Sequence, residues 1–502
     1  MSKQTSPLII SNPQKGIAPS AYFGFEEIRN INITDKPGIC YPHLALVKES
    51  STYVDDLIEG FTKTSESEVW GYSKEVGNKV FKRTSAGVWS ELTAHTDTGI
   101  GVIQFWKGYV AIIQIGGSID WYNITDDSCD TSWASDAISD APGSYMAVIH
   151  SVQDDCLYIG GGRVIDMIEE NSGQNFVPAT GATYAVTKAK LTLPEGYNII
   201  SMVEVGDKIY IGTSKDGNDA EGIIFIWDPT QITWEGVLTL KDESILNMIS
   251  VNNFLYIQGG RKGSWYVSNG VSIQKIAQIP YTLINLSSKN LQVDLTRNSI
   301  CYMNGLIYFG VSAYSGNTPL EGLGVWSLNP NTYALNFEYT ISAGEYGQSS
   351  NKSVYIGALM PIGGDTTNLN VSWFEEKGGT YGVDDIGSAR YTSDLAFIIS
   401  QFSRVGTFLQ ERNFNSFEIY LSSPMVSGDS IKLYYRTAQN GNWLNIINKA
   451  VEDAADDTEV FMSYTKDGAI QTFGIDKLIE VENIQFKIVL NGSTEFLELR
   501  AV

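Results

Sequence analysis

A short apolar phrase built around a tyrosine occurs five times in this chain. Its copies are Leu157-Tyr158-Ile159-Gly160, Ile209-Tyr210-Ile211-Gly212, Leu255-Tyr256-Ile257-Gln258, Ile307-Tyr308-Phe309-Gly310 and Val354-Tyr355-Ile356-Gly357. Successive tyrosines stand 46 to 52 residues apart. Strand-forming residues that recur at such a period are typical of a β-propeller, in which each repeat forms one blade of a ring.

The residues around each copy predict further strands and turns. A pair of turn-forming residues precedes each copy: Asp154-Asp155, Gly206-Asp207, Asn252-Asn253, Asn304-Gly305 and Asn351-Lys352. Gly, Asn and Asp tolerate the positive φ angles of tight hairpin turns. An aromatic strand follows the copies, as in Ile226-Trp227, Trp265-Tyr266, Val325-Trp326 and Trp373-Phe374. Each repeat therefore predicts three clear strands, with a fourth in the weaker apolar stretches.

Two weaker copies come earlier in the chain. Tyr109 to Ile113 follows the turn pair Lys107-Gly108, and Val69-Trp70-Gly71-Tyr72 is a further candidate. Counting both predicts seven blades, with six or eight as alternatives. Similar alternation of apolar residues and turns also occurs in β-sandwiches. Near-equal spacing over so long a stretch favours the ring.

The chain divides into three predicted parts. Residues 1–45 are proline-rich and predict an N-terminal extended arm, residues 46–390 predict the β-propeller, and residues 391–502 predict a C-terminal antiparallel β-sandwich. The last part shows period-two alternation in Phe417 to Leu421 and in Ile431 to Arg436. We interpret the acidic insert 451–457 as a solvated loop.

Composition and charge exclude several classes of protein. Of 502 residues, 43% are apolar, which argues against wholesale disorder, and the net charge of −23 disfavours a sequence-specific nucleic-acid binder. The sequence has neither an eighteen-residue apolar run nor the apolar core of a secretory signal. We therefore expect folding in the cytoplasm, or export by another route. Four widely spaced cysteines predict free thiols: Cys40, Cys129, Cys156 and Cys301.

The sequence predicts no catalytic residue, cofactor or metal site. The histidines are His43, His95 and His150, and none has a partner at zinc-ligand spacing. A Ser-His-Asp triad assembled across the sequence stays open, although no G-x-S-x-G elbow is present.

The sequence also contains no complete motif for carboxylate-based catalysis or calcium binding. Ser214-Lys215-Asp216-Gly217 and His95-Thr96-Asp97-Thr98-Gly99 both depart from the sialidase Asp-box pattern. The acidic segments 126–130 and 216–221 could supply oxygen ligands to calcium, but neither fits an EF-hand. Solvated loops between strands are the preferred interpretation.

The order of the parts resembles the tail nozzle (hub) proteins of short-tailed bacteriophages. At the front the resemblance is carried by Gly16 to Ser20, Gly24-Phe25, Ile28 to Ile33 and Pro37-Gly38, and at the back by the alternating strands named above. It implies a non-enzymatic ring, a hexamer, in the tail of a virion assembled in the host cytoplasm. The ring would extend the DNA-ejection channel, with DNA only in passage, and its partners would be the adaptor and the tail fibre or plug proteins.

Two other function classes stay open. Leu255 to Gly260 followed by Trp265-Tyr266 loosely resembles a kelch blade. One alternative is therefore a glycan-binding or protein-interaction propeller, and another is a propeller glycoside hydrolase or lyase. A nozzle should form a ring with a channel, a lectin-like propeller should bind sugar, and an enzyme should gather acidic residues at the propeller axis.

Overall fold

The structure, a computed structural model, confirms the predicted all-β class. Every regular element in its described ranges is a strand, and no helix there is long and apolar enough to cross a membrane. The described residues are 8–10, 27–33, 36, 39–49, 54–65, 68–74, 77–95, 99–131, 138–139, 146–170, 184–215, 218–241, 244–259, 263–279, 295–312, 323–343, 354–363, 368–375, 379–391, 395–404, 412–426, 429–438, 441–446, 462–463, 470–481 and 483–501.

The strands fall into three groups along the chain. Those before the repeat are β1 (Leu8–Ile10), β2 (Glu27–Arg29), β3 (Ile31–Asn32), β4 (Tyr41–Pro42) and β5 (Leu44–Lys48). The repeat then supplies β6 (Gly60–Lys63), β7 (Val69–Tyr72), β8 (Val80–Arg83), β9 (Trp89–Leu92), β10 (Ile100–Trp106), β11 (Tyr109–Gln114), β12 (Ile119–Asn123), β13 (Cys129–Asp130), β14 (Met146–His150), β15 (Leu157–Gly161), β16 (Val164–Glu170), β17 (Tyr184–Thr192), β18 (Tyr197–Val205), β19 (Lys208–Lys215), β20 (Asn218–Trp227), β21 (Gly236–Lys241), β22 (Ile245–Val251), β23 (Phe254–Gly259), β24 (Ser264–Ser268) and β25 (Ile273–Gln278). The last group is β26 (Ile300–Met303), β27 (Leu306–Val311), β28 (Gly324–Leu328), β29 (Leu335–Tyr339), β30 (Val354–Ile362), β31 (Asn368–Glu375), β32 (Thr380–Arg390), β33 (Phe397–Ile399), β34 (Ser403–Arg404), β35 (Arg412–Leu421), β36 (Ser430–Arg436), β37 (Leu444–Asn445), β38 (Met462–Ser463), β39 (Ile470–Val481), β40 (Asn483–Asn491) and β41 (Phe496–Ala501).

The chain forms two compact units, each built from separate stretches of sequence. The propeller unit comprises Val47–Gly324 and Ile341–Asp385. The terminal unit comprises Met1–Leu46, Val325–Thr340 and Ile386–Val502. The division into two units places both ends of the chain in the same unit, so it does not follow the three predicted parts. The predicted boundaries at residues 45 and 390 therefore stay predictions.

The propeller unit is a β-propeller with six four-stranded antiparallel blades. Blades 1 to 5 take their strands in chain order from β6–β9, β10–β13, β14–β17, β18–β21 and β22–β25. The closing blade has the order β30-β31-β32-β5, so its outer strand comes from before blade 1. At the end of β5, the Glu49 amide donates to the Val383 carbonyl at 2.9 Å.

The first strands of the blades form the inside of the ring. Strands β6, β10, β14, β18 and β22 each contact the next, and β30 contacts β6. The hairpin β26–β27 lies between β22 and β30 and contacts both. Apolar packing also joins the closing blade to blade 1, because Ile362 and Val383 share a core cluster with Val69, Phe81 and Trp89.

The tyrosine phrase occupies the second strand in four of its five copies. These copies lie in β15, β19, β23 and β27, and the two weaker copies lie in the second strands β7 and β11. The fifth copy differs, because Val354 begins the first strand of the closing blade and Trp373 lies in its second strand. Turn residues with positive φ precede the phrase, as at Asp155 (55°) and Asn304 (50°). The turn pair 351–352 lies outside the described residues.

The glycine that ends the phrase lets neighbouring blades approach closely. A Cβ on Gly160 would lie 3.0 Å from Ile199 and 3.1 Å from Met202 of the next blade. A Cβ on Gly212 would lie 2.9 Å from Met248, again in the next blade. The tyrosine packs across the same boundary, since the rings of Tyr158 and Trp227 meet edge-to-face with centroids 5.5 Å apart. The tyrosine and the glycine of the phrase therefore both contribute to packing between neighbouring blades.

The terminal unit joins strands from both ends of the chain. One sheet has the order β1-β41-β35-β39, and β2 lies between β29 and β33 in the run β28-β29-β2-β33-β40-β36-β37. Strands β34 and β38 pair with β40 and β36, and β3 pairs with β4. Strands β1 and β2 of the predicted N-terminal arm are thus built into sheets with C-terminal strands. The acidic insert 451–457 lies outside the described residues.

A buried carboxylate in the third strand of the closing blade fixes the segment that leads into this blade. Asp384 accepts hydrogen bonds from the Ser342 amide at 2.7 Å, the Ser342 hydroxyl at 2.5 Å and Trp373 Nε1 at 2.7 Å. Asp166 plays the same part in blade 3, where it accepts from the amide and hydroxyl of Ser139.

Stability should depend on pH through Asp384. Burial raises the pKa of Asp384 to about 6, although its hydrogen bonds from Ser342 and Trp373 oppose the shift. Because the folded state holds this proton more tightly than the unfolded state, the contribution is fully present below the unfolded pKa, near 4, and is lost as pH rises through about 6. We expect the free energy of unfolding of the native protein, minus that of Asp384→Asn, to fall between pH 4 and pH 7. Urea unfolding of both proteins across this range measures the difference, and a difference independent of pH would contradict the assignment.

Candidate interaction surface

One end of the propeller carries the turns that follow the first and third strands of each blade. Antiparallel strands taken in chain order place both turns at the same end, and the turn after the second strand at the other. We call this end, in blades 3 to 5, the turn surface. It is formed by residues 151–156, 206–208, 228–235, 252–254 and 269–272.

Three branched apolar side chains stand almost fully exposed on the turn surface. Val152 is 85% exposed, Ile232 is 88% exposed and Val271 is 83% exposed. Phe254, 46% exposed, lies at the same end. The other large apolar residues with exposed side chains in the described ranges reach at most 55%.

Hydrogen bonds hold the turns that present these side chains. The Val152 amide donates to Glu204 Oε2 at 2.9 Å, and the Val271 amide donates to Asn269 Oδ1 at 3.1 Å. In the loop that carries Ile232, Trp227 Nε1 donates a hydrogen bond to the carbonyl of the preceding residue, Gln231, at 2.9 Å. The apolar side chains therefore project from ordered turns.

Contacts between blades make the turn surface continuous. Gln153 Nε2 donates to the Gly206 carbonyl at 2.6 Å, which joins blade 3 to blade 4. Within blade 4, Lys208 forms an ion pair with Glu235 in the loop that carries Ile232. Gly270, with φ of 88°, lies against blade 4, because a Cβ there would come within 2.6 Å of the Tyr210 hydroxyl.

The turn surface is predominantly acidic. Its acidic residues are Asp154, Asp155, Asp207, Asp228 and Glu235, and Glu204 of β18 contacts it through the Val152 amide. Lys107 of blade 2 pairs with Asp155 at 2.5 Å, and the hydrogen bond from Lys107 lowers the pKa of Asp155. The hydroxyl of Thr230 lowers the pKa of Asp228 by hydrogen bonding. Asp155 and Asp228 are therefore ionised at neutral pH.

The structure places the three histidines apart, each with its own partner. His43 Nε2 contacts the buried Glu338 carboxylate in the terminal unit. His95 Nε2 lies 2.6 Å from the Asn78 carbonyl, and His150 Nε2 lies 2.7 Å from Asp155. The predicted absence of a catalytic residue stays a prediction.

The structure describes the first candidate calcium loop, residues 126–130, in full and the second, residues 216–221, in part. Asp126 accepts hydrogen bonds from the Ser128 amide and hydroxyl, and Asp127 pairs with Lys82 at 2.6 Å. The second loop includes residues 216–217, which lie outside the described ranges, as do residues 96–98 of an Asp-box candidate. Within the described residues, no group of three or more His, Cys, Asp or Glu could hold a metal ion.

The four cysteines are free thiols, as predicted. Cys40, Cys156 and Cys301 are buried. Burial raises the pKa of Cys129 and Cys156 to about 12, so both are protonated at neutral pH. These thiols contribute to packing rather than to reactive surface.

The turn surface is not evident from the sequence. Its one available signal is a branched apolar residue directly beside turn residues, as in Asn269-Gly270-Val271. A single valine in a turn does not reveal whether it is buried, so the pattern alone could not have selected these three side chains.

Comparisons with known proteins identify no family for this chain. No protein-family model matches the chain, and no curated protein matches it. The β-propeller domain of Cps50 (Swd1) from Myceliophteria thermophila is 8% identical with a TM-score of 0.44, covering 68% of this chain and 99% of that one. Raptor from Chaetomium thermophilum is 10% identical with a TM-score of 0.45, covering 70% and 30%. The computationally designed Ika8 protein is 12% identical with a TM-score of 0.38, covering 70% and 96%. Similarity at this level carries no argument about function.

Proposed function

We propose that this protein is a non-enzymatic interaction scaffold whose turn surface binds another protein. The observation that carries the proposal is the display of Val152, Ile232 and Val271 by ordered turns of adjacent blades. Burying one such side chain is worth about 1.5–3 kcal/mol. Because the turns are already ordered, little conformational entropy is lost when a partner covers them.

The charge around these residues limits the partner. Interfaces commonly place an apolar centre inside a polar rim. The rim here is acidic, with Glu204, Asp207 and Asp228 near the apolar residues, in a chain of net charge −23. We expect a partner with an apolar contact patch and lysine or arginine around it.

We propose the bacteriophage tail as the setting of this scaffold. The resemblance to tail nozzle proteins supports a ring, a hexamer, that extends the DNA-ejection channel of a virion. In this proposal the partners are the adaptor, the tail fibre or plug proteins and other copies of the chain. The negative charge supports it, because DNA in passage would not adhere to an acidic lumen.

Two finer features of the fold belong to the same proposal. We count the hairpin β26–β27 as the start of a seventh blade, supported by its contacts with β22 and β30. We also interpret the two sheets of the terminal unit as a sandwich. Phe414 of β35 meets Phe486 of β40 edge-to-face with centroids 6.4 Å apart, which supports this packing.

Polar substitution of the turn surface should abolish assembly without unfolding the protein. We expect the triple variant Val152→Ser, Ile232→Ser, Val271→Ser to bind its partner at least about a hundredfold more weakly, because three apolar contacts are lost. Competition between variant and wild type for incorporation into tail particles measures the loss. The control is Val88→Ser, which lies at the same end of blade 1 and is 44% exposed. Equal incorporation of the triple variant would exclude this surface as the contact.

Electron microscopy tests the proposed setting independently. Negative-stain images of the purified protein, alone and with neighbouring tail components, should show rings with a central channel. A protein that stays monomeric with those components would refute the nozzle role. Sugar binding by the monomer would instead support a lectin-like propeller.

A further inference from the structure

The joint between blade 5 and the hairpin β26–β27 is built differently from the joint between blades 4 and 5. In blade 4 the tyrosine phrase ends in Gly212, which lies opposite Ile224 of the third strand. In blade 5 the same position of the phrase is Gln258, and it lies opposite Trp265. Gln258 and Trp265 are both 0% exposed. A long polar side chain and an indole therefore replace a glycine and an isoleucine inside the ring.

Contacts with the hairpin show which way these side chains face. Asn247, Gln258 and Trp265 are register partners on β22, β23 and β24, so their side chains form a row on one face of blade 5. Asn247 Nδ2 donates to the Thr296 carbonyl at 3.0 Å, in the segment that leads into β26. The rings of Trp265 and of Phe309 in β27 have centroids 4.9 Å apart. The row therefore lies between blade 5 and the hairpin.

The hydrogen bonds of Asn247 fix the orientation of the Gln258 side-chain amide. Asn247 Oδ1 accepts from the Asn298 amide at 2.9 Å, so the other end of the Asn247 side chain is its amino group. This amino group donates one hydrogen to the Thr296 carbonyl at 3.0 Å and the other to Gln258 Oε1 at 2.8 Å. Gln258 must therefore face Asn247 with its oxygen, which directs the Gln258 amino group elsewhere.

Two buried N–H donors at this joint point to a further component. Among the residues that the structure describes, neither Gln258 Nε2 nor Trp265 Nε1 has a hydrogen-bond acceptor. Directly opposite side chains on antiparallel strands have Cβ atoms about 4.5–5.5 Å apart, so the two donors belong to one small region. A buried donor that lacks an acceptor carries the full cost of its removal from water. One acceptor between the two donors would remove this cost for both.

We propose that this joint binds one buried water molecule, which accepts hydrogen bonds from both Gln258 Nε2 and Trp265 Nε1. A water oxygen can accept two hydrogen bonds, and buried waters typically bind polar groups that the protein leaves unpaired. The acceptor is neutral, because an anion would bring an unbalanced charge to a place where both side chains are 0% exposed. The site does not involve the turn surface, so it is independent of the scaffold function.

A crystal structure of the wild-type protein that resolves ordered water tests the site directly. We expect one water within about 3.2 Å of both nitrogens. A protein acceptor on either nitrogen, a separate water on each, or no density beside them would refute the proposal. Density too large for a water would refute it as well, because the joint would then hold a different ligand.

Removal of one donor should release the water. Gln258→Met keeps a side chain of similar length but has no N–H group, so Trp265 alone would face the water. We expect the crystal structure of this variant to lack the water and its melting temperature to fall below that of the wild type. Gln104→Met is the control, because Gln104 Nε2 donates to the Phe105 carbonyl in blade 2, and this variant should keep the water. A water retained in Gln258→Met would contradict the shared site, and if that variant does not fold, the wild-type structure decides.

Discussion

Replacing Glu49 by glutamine should destabilise the protein by about 3 kcal/mol, because the buried Arg83 loses its bidentate carboxylate and keeps the more distant Asp385, whose Oδ2 lies 4.0 Å from Arg83 Nη2. Glu49 is 8% exposed and Arg83 is 6% exposed. Arg83 Nε lies 2.9 and 3.0 Å from the two carboxylate oxygens, and Nη2 lies 2.5 Å from Oε1. Trp89 Nε1 donates to the other oxygen at 2.5 Å. Glu49 directly follows β5, so this ion pair fastens the closing blade to blade 1.

A second substitution distinguishes lost charge pairing from lost shape. Glu49→Gln combined with Arg83→Met removes both charges and keeps an oxygen for Trp89. The double variant should therefore be more stable than Glu49→Gln alone. Glu235→Gln, in an exposed pair with Lys208, should leave stability almost unchanged. Urea unfolding followed by tryptophan fluorescence measures all three. Equal losses in the single and double variants would show that the charge pairing is not the cause.

The repeat could be predicted from the sequence because each blade uses the same local chemistry. A turn with positive φ, an apolar strand with tyrosine and a closing glycine recur together, and each part has a local physical reason. The number of blades was harder to predict than the repeat itself. Six four-stranded blades are present, and the hairpin β26–β27 accounts for the remaining copy of the phrase at Tyr308.

Closure of the ring could not be predicted from the sequence. Strand β5 stands more than 300 residues before β32, its neighbour in the closing blade. Nothing local in Leu44 to Lys48 indicates that partner. The ion pair of Glu49 with Arg83 is equally hidden, since any glutamate near an apolar strand can be a solvated charge. Only the burial of both groups shows their role.

The exposed side chains of the turn surface could not be predicted from the sequence. The turn surface depends on exposure, which a branched residue in a turn does not reveal. By contrast, the expectation of free thiols needed only the spacing of the cysteines, and the structure confirms it.

A larger side chain in place of the glycine that ends the tyrosine phrase should force two neighbouring blades apart. We expect Gly212→Val to cost about 1–3 kcal/mol, because the added carbons overpack a finished core. A Cβ on Gly212 alone would lie 2.9 Å from Met248 Cε and 3.0 Å from Ile245 Cγ2, both in blade 5. The end of Met248 can rotate away, whereas Ile245 is β-branched and 2% exposed, so its Cγ2 has little room to move. Free energies of unfolding from urea titration measure the cost.

Gly236→Val in the same blade is the matched control. It lies in the outer strand β21, where a Cβ would have its nearest contact with Ile226 at an ordinary 3.5 Å. Its effect should stay within about 0.5 kcal/mol, because valine suits a strand and meets no neighbouring blade. If both variants lose the same stability, the glycine of the phrase is not needed for the approach of blades. If only Gly212→Val is destabilised, the recurrence of glycine after the tyrosine reflects packing between blades rather than a requirement of the strand itself.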